Sequence, residues 1–182
     1  MSNFAVVQNG QIEMLLQSGN PFVLNGVQYP ANWLNLSTPE EKAELGIVDV
    51  VYAPMPNDQY YWVSQNAPVY NSETNQVDIG FTATPKDLTQ LKANLVGQVK
   101  QTAYSILLPT DWMVVKAFET STAIDPAWNT WRAEIRTQAD QGMTAIEACT
   151  SVEELEALPA IQWAHDPNYV PPVEETEETV EA

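Results

Sequence analysis

The residues able to do acid, base or nucleophilic chemistry are few and poorly placed for it. A hydroxyl or thiol nucleophile needs a base within hydrogen-bond reach, and the chain holds one histidine, His165, beside Asp166 in a proline-rich stretch. A single unpartnered imidazole specifies no triad, and a surface or locally hydrogen-bonded role is expected for it. Cys149 is the sole cysteine. Set among Ala145, Ile146 and Ala148, it reads as a small buried hydrophobe and not as a reactive thiol.

A structural zinc site takes four Cys or His ligands, and two such residues far apart do not supply them. Carboxylate pairs are more plentiful: Glu40-Glu41, Glu153-Glu154 and Glu174-Glu175 are of the residue type a two-carboxylate hydrolase uses. The first two fall in the first turns of expected helices, where acids meet the positive end of the helix dipole, and the third lies in the C-terminal tail. Glycine-rich phosphate loops and EF-hand spacing are absent. The sequence therefore predicts a protein without catalytic activity, metal or cofactor.

Charge narrows the partner class. Across 182 residues, acids outnumber bases 24 to 7, giving a net charge of −17, while the hydrophobic fraction of 45% is enough to build a core. Nucleic-acid phosphates and anionic membrane surfaces are bound through Lys and Arg, so direct binding to either is not expected. No apolar run approaches the roughly 20 residues a spanning helix needs. The first ten residues have neither the basic start nor the apolar stretch of a secretory signal, and one cysteine permits no intramolecular disulfide. The expectation is a protein that stays where it is made and binds another protein.

The fold class expected is α+β: a small N-terminal, mainly antiparallel β domain over residues 1–84, a helical domain over 85–168, and a disordered acidic tail over 169–182. In the first part, apolar clusters are broken by Asn-Gly and proline punctuation. Asn9-Gly10 predicts a hairpin between Phe4–Gln8 and Gln11–Leu16. Asn25-Gly26 predicts another between Phe22–Leu24 and Val27–Tyr29, because Asn-Gly suits the two positive φ angles of a type I′ turn. Further strands are expected at Ile47–Ala53, Gln59–Gln65 and Val77–Ala83. One short helix is announced by Thr38 as cap, Pro39 in its first turn, Glu41 closing a capping box and Gly46 as stop.

At Thr84-Pro85-Lys86-Asp87 the period becomes helical. Leu88, Leu91, Leu95, Val99, Thr102 and Ile106 fall on one face of a helix from about Pro85 to Leu107. Pro109 stops it, and Thr110-Asp111 caps a second helix carrying Trp112, Val115, Ala117 and Phe118. Asp125-Pro126 opens a third, expected to run to Gln141 with Gly142 as its stop. Ser151-Val152-Glu153-Glu154 caps a short last helix ending before Pro159. Beyond it the composition turns to Asp, Pro and Glu, too poor in apolar groups to offset the entropy of ordering.

Aromatic residues are the remaining candidates for function. Trp112, Trp128 and Trp131 fall at the starts of short helices that must pack, and core roles are expected for them. In Tyr60-Tyr61-Trp62 the alternation of a strand turns successive rings to opposite faces, so at least one is expected at the surface. Tyr60, Tyr61, Trp62, Trp112, Trp128, Trp131, Arg132 and Arg136 are the candidate partner-binding residues.

Several of these lie in the segment Leu108 to Arg136, which resembles the C-terminal region of tail fibre assembly proteins of tailed bacteriophages. The shared features are Thr110-Asp111-Trp112, Glu119-Thr120, Pro126, the pair Trp131-Arg132, and Arg136. Thr150 to Trp163 looks like the Trp-containing ending of such proteins. Asn25 to Trp33 with Ser37 to Gly46 is similar to N-terminal parts of phage tail-region proteins of unassigned role. The chain departs from the pattern at Ser121, where a glycine is usual, and in its acidic tail. The resemblance implies a non-enzymatic chaperone that binds the tail fibre polypeptide in the host cytoplasm. The alternatives are a structural component of the virion tail or neck and, from charge alone, an acidic mimic of DNA.

Overall fold

The computed structural model describes residues 4–170. The chain divides into two compact units, Met1–Lys86 and Asp87–Ala182. The first is mainly antiparallel β and the second helical, as the residue periodicities require. The expected disorder of residues 171–182 falls outside the described residues. Tyr169, placed in the tail by composition, belongs to a local turn: its N–H donates to the Asp166 carbonyl and its ring stacks on His165, centroids 3.8 Å apart.

The first unit opens with β1 (Phe4–Gln8) and β2 (Gln11–Leu16), joined at Asn9 and Gly10, whose φ angles of 52° and 77° are those the turn demands. The hairpin β3 (Phe22–Leu24) and β4 (Val27–Tyr29) is built the same way on Asn25 and Gly26. After α1 (Trp33–Leu36) and α2 (Pro39–Glu44) come β5 (Ile47–Tyr52), β6 (Tyr61–Gln65), β7 (Val69–Asn71), β8 (Gln76–Ile79) and β9 (Phe81–Pro85). The capping box of α2 forms as predicted. Thr38 Oγ1 accepts from the Glu41 N–H at 3.2 Å, and the Glu41 carboxylate accepts from the Thr38 N–H at 2.8 Å.

Five strands form one sheet in the order β2-β1-β5-β8-β7, with β5 and β8 parallel and the other pairs antiparallel. Its two faces carry separate cores. On one, Val6, Leu16 and Ile47 pack with Phe22, Leu24 and Leu34 from the hairpin and α1. There Phe22 stacks on Tyr29, and the Trp33 ring meets both edge-on. On the other, Ala5, Val48, Val77 and Ile79 pack with Ile12 of β2 and Tyr70 of β7. The sheet curls far enough for these two outer strands to approach one another.

The expected strand Val77–Ala83 is instead two strands in different sheets. Gly80 separates them: β8 stays in the large sheet, while β9 leaves it to pair with β6 as a two-stranded ribbon. The strand β7 and the helix α1 were not foreseen, being three and four residues long with no period to read.

The second unit contains α3 (Leu88–Leu107), a 3-10 turn (Leu108–Thr110), α4 (Asp111–Thr120), α5 (Pro126–Ala148) and α6 (Val152–Glu156). Two helix boundaries differ from expectation. Pro85 does not open α3, because it is paired with Tyr61 at the end of β9, and Asp87 caps the helix by accepting from the Gln90 N–H at 2.7 Å. Gly142 does not end α5, which runs six residues further. A Cβ at Gly142 would lie 2.3 Å from the Ile161 Cδ1 and 3.0 Å from its Cγ1, so this glycine serves close packing and not termination.

Along α3, Leu91 is buried and Leu88, Leu95, Val99 and Ile106 are half-buried, as the stripe predicts; Thr102 is exposed, and Ala103 takes the buried place beside it. Against α3 lies α5, whose Trp131, Ile135 and Ala139 complete the core with Ala103. Ser151 caps α6 through the Glu154 N–H at 3.2 Å. The Glu154 carboxylate turns back to the Thr150 N–H and hydroxyl, and these hydrogen bonds hold its pKa below the usual 4.5.

Ser121, which stands where the resembled family has glycine, ends α4 in the left-handed region with φ 54°. A side chain there costs about 1 kcal/mol that glycine avoids. We expect Ser121→Gly to raise stability by about 0.5–1 kcal/mol, read as a higher urea midpoint at unchanged slope.

Candidate functional site

The candidate residues fall into two groups, one in each unit. In the first unit, Tyr60 and Tyr61 are half-buried, and Trp62 is 68% exposed on the outer face of the β6–β9 ribbon. Lys86 covers the Trp62 ring at 4.7 Å from its centroid, and its ammonium donates to the Asp58 carbonyl at 2.6 Å. The exposed ring of the aromatic triplet is thus the third.

In the second unit four residues of the resembled motif, Thr110, Asp111, Arg132 and Arg136, are joined by hydrogen bonds. Arg132, buried on α5, donates through Nη1 to the Leu107 carbonyl at 3.1 Å and to Thr110 Oγ1, and through Nη2 to the Asp111 carboxylate at 2.6 Å. The planar guanidinium reaches all three acceptors at once, which an ammonium cannot. Thr110 was expected to cap α4, but its hydroxyl donates to the Leu107 carbonyl at 2.8 Å and accepts from Arg132, so it makes no capping bond. Arg132 therefore sits in the corner where α3 gives way to α4 and ties that corner to α5. Arg136, one turn on and exposed, donates to the Arg132 carbonyl at 3.1 Å.

The three tryptophans expected in the core separate. Trp131 is buried, with its indole N–H on the Ala164 carbonyl at 2.9 Å. Trp128 is half-buried against it, edge to face at 5.6 Å. Trp112 is 57% exposed and does not belong to the core. Its helix explains why. In Asp-Trp-Met-Val-Val-Lys-Ala-Phe-Glu-Thr, apolar residues occupy nearly every side, yet none of the ten is buried. Only one side can face the unit's own core, and Met113 and Ala117 take it, half-buried.

The opposite side presents Trp112, Val115 and Phe118 to solvent, at spacings of three, with Phe118 90% exposed. Large apolar side chains grouped in solvent on one side of a helix mark an interaction site, and Lys116 beside them lies 5.8 Å from the Trp112 ring centroid. Val115 and Phe118 were not singled out as binding residues from sequence. The signal was present in the apolar residues that α4 carries on more than one side, but it reads equally as burial.

Between α4 and the start of α5 lies a cleft of about 220 Å³, walled by Trp112, Lys116, Ile124 and Trp128. It is open and mostly apolar, and its size suits one large side chain of a partner, the kind of anchor that dominates protein interfaces. His165 is exposed and stacked on Tyr169, and Cys149 is buried with its thiol toward the Ala145 carbonyl at 3.3 Å. Among the described residues there is no group of three or more His, Cys, Asp or Glu that could hold a metal ion, and no helix is long and apolar enough to cross a membrane.

Compared with known proteins, the chain matches no family model, no curated protein and no solved structure.

Proposed function

We propose that this protein is a non-enzymatic assembly factor for the tail fibre of a bacteriophage, binding the fibre polypeptide through the exposed apolar side of α4. The observation that carries the reading is that Trp112, Val115 and Phe118 stand in solvent on a helix with no buried residue. Such a face lowers its free energy only when a partner covers it. The resemblance of residues 108–136 to fibre assembly proteins names the partner. It is supported by the meeting of Thr110, Asp111 and Arg132, three of the nine residues that carry the resemblance, at the base of that helix. Fibre chains expose strand edges and apolar faces before they trimerise, and binding them requires surface and no catalysis.

Coexpression with the fibre polypeptide tests the reading. A complex and a higher yield of fibre trimer are expected, and the absence of both overturns it. Phe118→Asp should lower recovery of the complex at least tenfold while leaving the thermal melt of the free protein unchanged, because the side chain touches little of its own fold. Copy number in purified particles, set against infected-cell lysate by quantitative mass spectrometry, separates a transient helper from a structural component. A protein abundant in lysate and missing from particles is the expected result.

A further inference from the structure

The β6–β9 ribbon has a second kind of unused surface, made of backbone. Its register is regular over five pairs, from Tyr61↔Pro85 to Gln65↔Phe81. The Lys86 N–H donates to the Tyr60 carbonyl and the Asn66 N–H to the Gly80 carbonyl, so the inward-bonded positions of β6 are the even ones. The N–H and C=O groups of Val63 and Gln65 consequently point away from β9, to an edge with which no described strand pairs.

Natural sheets protect such edges with shortness, charge, proline or a bulge, and the other outer strands here have one of these. On β2 a register shift between Val6 and Val7 leaves Glu13 as the extra residue. The strands β3, β4 and β7 are three residues long, and β9 ends in Pro85, which offers no N–H. Only β6, with Tyr-Trp-Val-Ser-Gln, has five residues, no charge, no proline and no register shift. A two-stranded ribbon is itself marginal in water and gains from a third strand.

We propose that the free edge of β6 is a strand-addition site for an extended segment of the fibre polypeptide, paired through Val63 and Gln65 and flanked by the exposed ring of Trp62. This rests on the reading above and adds to the α4 face a second place of contact and its mode. Charge selects the occupant. Residues 1–86 carry eight acids against two lysines, and both lysines lie over aromatic rings, Lys42 at 4.5 Å from Phe4 and Lys86 at 4.7 Å from Trp62. A second copy of this chain would bring the same acidic surface to the edge and meet repulsion, whereas a basic strand meets attraction and a neutral one no repulsion.

The test is amide hydrogen exchange, resolved by residue, on the full-length protein alone and in complex with coexpressed fibre polypeptide. In the free protein the Val63 and Gln65 amides should exchange at least a hundredfold faster than those of Trp62 and Ser64; in the complex they should slow to match them. Gln65→Pro removes one outward N–H, leaves the inward ladder intact at an exposed position, and should lower recovery of the complex at least tenfold with an unchanged melt. A complex in which Val63 and Gln65 exchange as they do in the free protein overturns strand addition and leaves the fibre-binding reading standing. Failure to form any complex overturns both.

Discussion

Replacing Arg132 by alanine is expected to cost about 3 kcal/mol of stability, within the range for removing a buried, multiply hydrogen-bonded charge. The guanidinium is the donor for the Leu107 carbonyl, the Thr110 hydroxyl and the Asp111 carboxylate. Without it the Leu107 carbonyl and the Thr110 hydroxyl each lose one hydrogen bond and keep the one between them, and a cavity opens beside Thr110, which is itself buried. The Asp111 carboxylate contributes less, since it is half exposed and water can replace its partner. Asp111→Asn should therefore cost under about 1 kcal/mol, and Arg132→Lys should resemble the alanine variant more than the native protein because an ammonium lacks the planar fork. Scanning calorimetry of the full chain checks the order. Equal melts for Arg132→Ala and the native protein would mean that the corner between α3 and α4 is held by packing alone. Because this corner sets where α4 begins, Arg132→Ala should also reduce partner binding, although Arg132 touches no partner in the proposed complex.

Gly46→Ala carries a comparable expected loss, also about 3 kcal/mol, for a different reason. Gly46 follows α2 with φ 69°, a conformation costing an L-residue about 1 kcal/mol. In addition, a Cβ there would sit 2.6 Å from the Val7 carbonyl oxygen. That oxygen belongs to backbone and cannot swing aside, since the Val7 N–H is bonded to the Gly46 carbonyl at 2.8 Å. Relief requires parting β1 from the start of β5, which lies between the two cores of the sheet. Gly26→Ala is the matched control: φ is 79° but no atom lies within 4 Å of the added Cβ, so only the conformational cost of about 1 kcal/mol is expected. Urea midpoints that fail to separate the two alanine variants would show that β1 yields at Val7 without cost.

The contrast between these two glycines also shows where sequence reading stops. Gly46 as the stop of α2 was legible from Thr38-Pro39-Glu40-Glu41, because capping is chemistry between residues three or four apart. That its hydrogen atom faces the Val7 carbonyl was not, since the contact spans 39 residues. Gly142 failed in the opposite way. A glycine near the expected end of a helix reads as a stop, but Ile161 packs onto it and α5 continues to Ala148.

The same division runs through the candidate site. Both Asn-Gly hairpins, the caps at Thr38 and Ser151 and the apolar stripe of α3 follow from local spacing, so the sequence by itself determined the mixed fold class and most of its elements. Tertiary structure alone decided which aromatics are buried. Trp112, Trp128 and Trp131 share a local pattern, yet one is exposed, one half-buried and one buried, because exposure depends on which elements the chain returns to cover. It likewise decided that Val77–Ala83 divides at Gly80 between two sheets, leaving the β6 edge open. Periodicity records which faces of an element are apolar. Whether such a face meets the protein's own core or another molecule is settled by contacts between residues far apart in the chain.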